Sequence, residues 1–187
     1  MRLLGAAIVL TTASVAASQP KPSTTCAFDG FSANPQLMEL AGDPVVVYHA
    51  DGAWTCGYLT QKKGAGPGWF PSKNLRTVPF DPTPPLTAWV GIWANGDDRI
   101  HIALSKTPGK LNLAGEGIWR GRGDVVHSGE FAGEASPQGN HLHFVEEGAE
   151  SCIIDLTLIG RYLVANDNDR CGGANVRFWG VWKRSEK

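Results

Sequence analysis

Pro79-Phe80-Asp81-Pro82-Thr83-Pro84-Pro85 places four prolines in seven residues, and its reading divides the 187-residue chain. Each proline fixes φ and removes a backbone N–H, so the stretch can neither continue a helix nor pair in a ladder, and it favours extended polyproline II. Residues 79–86 therefore read as a linker, with small domains at 19–78 and 87–187. On neither side is there a long segment with apolar residues at helical spacing. Period-two alternation, β-branched residues and Gly-rich turns recur instead. Both domains are expected to be all-β.

Downstream of the linker, eight candidate strands fall near residues 87–94, 98–105, 110–119, 124–131, 140–147, 151–159, 161–166 and 174–183. Turn residues separate them, among them Asn95-Gly96-Asp97, Pro108-Gly109, Gly148 and Gly160. Eight short strands joined by tight turns predict an antiparallel meander barrel of lipocalin-like form. Trp89, Gly91 and Trp93 on the first strand and Phe178, Gly180 and Trp182 on the last share one aromatic-x-Gly-x-Trp order. A glycine between two inward aromatics leaves room where a small barrel bends, so the first and last strands are expected to be neighbours. Gly117-Ile118-Trp119 echoes the device, and Ile100, Ile102 and Leu104 with Ile154, Leu156 and Leu158 complete the predicted core. A barrel of this size can enclose a small ligand, but its large inward aromatics predict a filled interior.

The chain opens with Arg2, an apolar run from Leu3 to Leu10 and the small residues Ser14 to Ser18, the pattern of a secretory signal peptide over residues 1–18. The run is broken at Thr11-Thr12 and stops at Gln19-Pro20, short of the roughly 20 apolar residues of a membrane-spanning helix. The first cysteine, Cys26, follows Ser23-Thr24-Thr25, so no lipid anchor is expected. The mature chain is expected to be periplasmic or secreted, without membrane insertion. A formal charge of −1 supplies no basic surface for nucleic acid or anionic lipid. Four cysteines in an exported chain make two disulfides, with three possible pairings. Chain order favours Cys26 with Cys56 and Cys152 with Cys171, one inside each domain.

In the first domain, Asp51-Gly52-Ala53-Trp54 is followed by Gly68-Trp69-Phe70-Pro71-Ser72-Lys73-Asn74-Leu75. Over residues 40–78 this resembles SH3 domains, especially the bacterial SH3 (SH3b) modules of envelope proteins. The resemblance implies an SH3-like small barrel in which Trp54, Pro71 and Asn74 would line a groove, with Tyr48 and Trp69 as further ligand-facing aromatics. Asn74 stands where eukaryotic SH3 domains carry tyrosine, and their Ala-Leu-Tyr-Asp-Tyr strand is missing upstream. Both departures remove surface against which proline rings pack. What the resemblance implies is docking of a cell-wall component such as peptidoglycan, or of an envelope protein. Trp54 shares strand parity with Cys56, so a Cys26–Cys56 bond would draw the N-terminal segment across the same face and cover it.

Residues 162–182, with Asn166-Asp167, Cys171-Gly172-Gly173 and Val176-Arg177-Phe178-Trp179-Gly180, resemble the C-terminal part of small periplasmic proteins, some of them lysozyme-inhibitor-like. That resemblance supports the Cys152–Cys171 pairing and implies an alternative role as inhibitor of a cell-wall hydrolase. A carrier barrel is the other alternative. Catalytic signatures are absent: there is no Gly-x-Ser-x-Gly elbow, no His-Glu-x-x-His and no phosphate-binding glycine loop. His141 and His143 share a strand face and could hold zinc with Glu130. Leu142 and Phe144 claim the core face, however, which turns both histidines outward. The oxygens of Asn166 to Asp169 read as turn capping rather than a calcium loop, because no glycine or bidentate glutamate follows in register. Neither an enzymatic centre nor a metal or other cofactor is expected.

Overall fold

The computed structural model describes residues 19–26, 35–60, 64–146, 148 and 151–185; the signal-peptide reading lies outside the described residues. All the regular structure among them is β, apart from two single 3₁₀ turns. The first sheet contains β1 (Gln36–Leu40), β2 (Asp43–Asp51), β3 (Trp54–Leu59), β4 (Gly66–Pro71) and β5 (Leu75–Thr77), in the order β4-β3-β2-β1-β5. A 3₁₀ turn over Ser72–Asn74 feeds β5, following Pro71, whose ring sets φ at −59°. β1 turns into β2 at Ala41-Gly42, both at positive φ, the geometry that suits the right-handed twist of a two-residue hairpin.

β2 is buried along Val45-Val46-Val47-Tyr48, and the continuous apolar run shows that both of its faces are covered. On one face, Val45 and Val47 pack with Leu75, Met38, Leu59 and Phe70. On the other, Val46 and Tyr48 join Leu37, Cys26 and Cys56.

The second sheet runs through β6 (Gly91–Asn95), β7 (Asp98–Leu104), β8 (Leu111–Arg120), β9 (Val126–Ala135), β10 (His141–Val145), β11 (Ile153–Ile159), β12 (Tyr162–Asp167) and β13 (Gly180–Arg184). Its order, β10-β11-β12-β13-β6-β7-β8-β9, is a meander closed by pairing of the first strand with the last, Lys183 opposite Ala94 and Arg184 opposite Trp93. The barrel is nearly closed. Between β9 and β10 a ring contact bridges the seam in place of a ladder, with Phe131 and Phe144 centred 5.4 Å apart. Trp89, Trp93, Trp182, Phe131 and Phe178 fill the axis with Ile100, Ile154, Leu156 and Leu163. This packing requires small partners: a Cβ on Gly115 would lie 1.9 Å from the Phe131 ring.

Several expected boundaries move, each for a local reason. After Pro84-Pro85 the chain makes a 3₁₀ turn over Leu86–Ala88, so the first barrel strand begins at Gly91 rather than 87. Trp89 is therefore not a strand residue, although it is buried and its carbonyl accepts the Trp93 Nε1–H at 2.9 Å. Arg184 donates to the carbonyls of Ala88 and Val90 and lies 4.6 Å over the Trp93 ring, which stoppers this end of the barrel. The last strand begins at Gly180 rather than 174, and the fourth runs on to Ala135. Leu104 is not core: it sits at the outer end of β7, 52% exposed, beyond the layer where Ile100 and Ile102 are buried.

The two sheets do not keep separate cores. β12 is buried at Tyr162, Leu163, Val164 and Ala165, with Leu163 and Ala165 facing the barrel axis. Tyr162 and Val164 face the other way and meet Ile159, Val181, Leu37, Val46 and Tyr48 in one cluster, joined by Phe80 of the proline-rich stretch. Thr60 Oγ1 donates to the Tyr162 hydroxyl oxygen at 2.9 Å, and Lys183 Nζ donates to the Thr60 carbonyl. Within the proline-rich stretch, Phe80 is anchored at this junction while Pro79, Asp81, Pro82, Thr83 and Pro85 stay exposed.

Candidate functional site

The cysteines pair as Cys26–Cys56 and Cys152–Cys171, which places the chain in an oxidising, non-cytoplasmic setting. None of the helical turns among the described residues is long and apolar enough to cross a membrane.

The first bond decides the state of the predicted ligand face. From Cys26 the segment Gln19 to Thr25 lies along β3 and β4 as a strap. Trp54 Nε1 donates to the Gln19 carbonyl at 3.1 Å, Trp69 Nε1 donates to the Thr24 carbonyl at 2.8 Å, and Gln19 Oε1 accepts the Ala53 N–H at 2.9 Å. A Cβ on Gly52 would lie 2.2 Å from that Gln19 oxygen, so the glycine makes room for the strap. Both tryptophans are half-buried, and His49 stands edge-on to Trp69 at 5.2 Å. Pro71 faces Trp54 across the β3–β4 pair, and Asn74 is exposed on the 3₁₀ turn. Tyr48 is not on this face: it is buried in the cluster between the sheets. Burial, helped by nearby Tyr58, raises its hydroxyl pKa well above the ordinary tyrosine value. Of the five candidates, Trp54, Trp69 and Pro71 come together, Asn74 lies at the rim, and Tyr48 belongs to the core.

A larger open cleft, about 690 Å³, lies at one end of the barrel. Its making explains the Cys-Gly-Gly sequence. Residues 168–179 form an irregular loop tied to Cys152 through Cys171, and Gly172 passes so close to Gly129 of β9 that a Cβ on Gly172 would lie 2.5 Å from the Gly129 Cα. Gly173 N–H then reaches the Ser128 carbonyl at 3.0 Å, and His127 Nδ1 meets the Ala174 carbonyl at 2.5 Å. Beyond this point the loop alternates without pairing. Val176 and Phe178 point inward and are buried, while Asn175, Arg177 and Trp179 line the cleft. Phe178 packs edge-on to Phe131 at 4.9 Å, closing the barrel beneath the cleft floor.

Asn95 and Asp98 of the β6–β7 hairpin, Trp119 of β8, and Asn166 and Asp167 of β12 supply the remaining walls. Trp119 stacks on His127 at 5.1 Å. Asp98 Oδ1 accepts the Ile118 N–H at 2.8 Å, and Asp167 accepts the N–H groups of Phe178 at 2.5 Å and Asp169 at 3.1 Å. Burial raises both carboxyl pKa values above the ordinary aspartate range, against these hydrogen bonds, which favour the ionised form. Asp169 pairs with Arg177, Nε to Oδ1, at 2.9 Å. Sequence reasoning missed this cleft. Its signal is the outward parity of 175, 177 and 179, opposite to the inward Val176 and Phe178.

In the Asn166–Asp169 turn the Asp167 and Asn168 oxygens serve the backbone, Asn168 Oδ1 accepting the N–H groups of Ile153 at 3.1 Å and Arg170 at 3.3 Å, while Asp169 pairs with Arg177. His143 meets exposed Asp155 at 2.6 Å, and His141 meets Thr157 at 3.1 Å. Among the described residues no three His, Cys, Asp or Glu side chains gather as a metal ion would require. Compared with known proteins, the chain matches no family model, no curated protein and no solved structure.

Proposed function

We propose that this chain is an exported, non-enzymatic binding protein of the cell envelope that recognises its ligand chiefly at the barrel-end cleft. One observation carries this reading: each charged side chain of the cleft makes at least one bond that holds its walls. Asp98 and Asp167 grip backbone N–H groups, and Asp169 is paired with Arg177, so the site is rigid and polar rather than armed with a free acid–base pair. The SH3-like resemblance supports an envelope ligand, and the strap qualifies where that ligand docks. With both indole N–H groups of Trp54 and Trp69 taken by the chain itself, the first sheet offers its rim at Pro71 and Asn74 rather than an open aromatic groove. The filled barrel axis removes support from the carrier alternative.

Retention of the folded protein on purified sacculi tests the reading. Wild type is expected to sediment with sacculi well above an unrelated secreted protein, and Trp179→Ala to be retained less. No retention of wild type above that control would reject it.

A further inference from the structure

Two indole rings, Trp119 and Trp179, stand in the cleft among side chains with planar polar ends, Asn95, Asp98, Asn175 and Arg177. Trp179 is 38% exposed, a large exposure for an indole. Asp98 uses Oδ1 for the Ile118 N–H, and its Oδ2 makes no hydrogen bond among the described residues. Aromatic faces bordered by several planar hydrogen-bonding groups suit a ligand with an apolar C–H face and a polar edge of paired hydroxyls. A sugar ring has that form. A cleft of about 690 Å³ has room for a short chain of rings rather than a single small molecule.

Charge narrows the class further. Three aspartates, Asp98, Asp167 and Asp169, line the cleft against one arginine already paired with Asp169. An anionic polymer would be repelled. A divalent cation is not held either, since these carboxylates do not converge as ligands among the described residues.

Resting on the envelope-binding reading above, we infer that the barrel-end cleft binds a saccharide chain without acidic groups, stacked on Trp179 beside the His127-backed Trp119 and hydrogen-bonded by Asn95, Asp98 and Asn175. Trp179, which belongs to none of the buried clusters, is the anchor to remove in a test.

The probe is chitotetraose, a neutral oligosaccharide, titrated into the full mature chain and followed by backbone amide shifts and calorimetry, with polygalacturonate as the anionic comparison. Saturable shifts confined to residues 95–98, 118–119 and 175–179, weakened at least about tenfold in folded Trp179→Ala and less in Trp179→Phe, would support the inference. Binding that is unchanged in folded Trp179→Ala would overturn it, as would shifts elsewhere or a preference for polygalacturonate. Retention on sacculi with no chitotetraose binding at millimolar concentration would overturn this inference while leaving the envelope reading in place. Loss of both would end both.

Discussion

Asp98 and Asp167 show how one residue type takes two structural roles in the same cleft. Both carboxyls are held above the ordinary aspartate pKa by burial. Between the ordinary and the raised value the folded chain binds more protons than the unfolded one. Their contribution to stability therefore falls as pH rises through that window, and is largest below it. The two differ in what an amide could replace. Asn at 98 keeps an oxygen for the single Ile118 N–H, whereas Asn at 167 has one oxygen for the donors of both Phe178 and Asp169. Denaturant titration at pH 7 is expected to show Asp98→Asn no less stable than wild type and Asp167→Asn weaker by about 1–3 kcal/mol, the cost of an unmade hydrogen bond to a partly buried donor. Equal losses in the two variants would contradict this account.

At the scale of the element, the strap is held by one covalent bond and three hydrogen bonds, two of them from indoles that could otherwise meet a ligand. A disulfide across 30 residues restricts the unfolded chain by about 3–4 kcal/mol. Replacing Cys26 and Cys56 together by Ser is expected to remove most of that stabilisation. The Gln19 and Thr24 contacts alone would then have to order a short proline-containing segment. Hydrogen exchange should show rapid exchange over residues 19–26 in the double variant, with β6 to β9 retaining their protection. Full protection of the strap without the disulfide would mean that the indole contacts suffice. In that case the face is closed by the strap's own affinity.

For the whole molecule, the cluster of Leu37, Val46, Tyr48, Ile159, Tyr162, Val164 and Val181 joins the sheets into one cooperative body. Calorimetry of wild type is therefore expected to show a single transition. Leu156→Asp places an unpaired carboxylate in the barrel core and should unfold both sheets. Val164→Asp, in the shared cluster, should split the transition in two, because the small core around Val45, Val47 and Leu75 then melts without the barrel. Two resolved transitions in wild type would show that the junction carries no coupling.

Local chemistry determined much of this from the sequence: prolines that cannot pair, glycines in turns, inward aromatics repeated on Trp93 and Trp182, and cysteines close in chain order. These features depend on residues near one another along the chain or on strict two-residue alternation, so the all-β class, the eight-stranded meander and the meeting of its ends could be read directly. The tertiary structure alone decided where outward residues meet. Period-two alternation says which side chains share a face, but not what covers that face. For this reason Tyr48 went to the junction, the strap reached Trp54 and Trp69, and Asn95, Asp98, Trp119 and Trp179, distant in sequence, came to line one cleft.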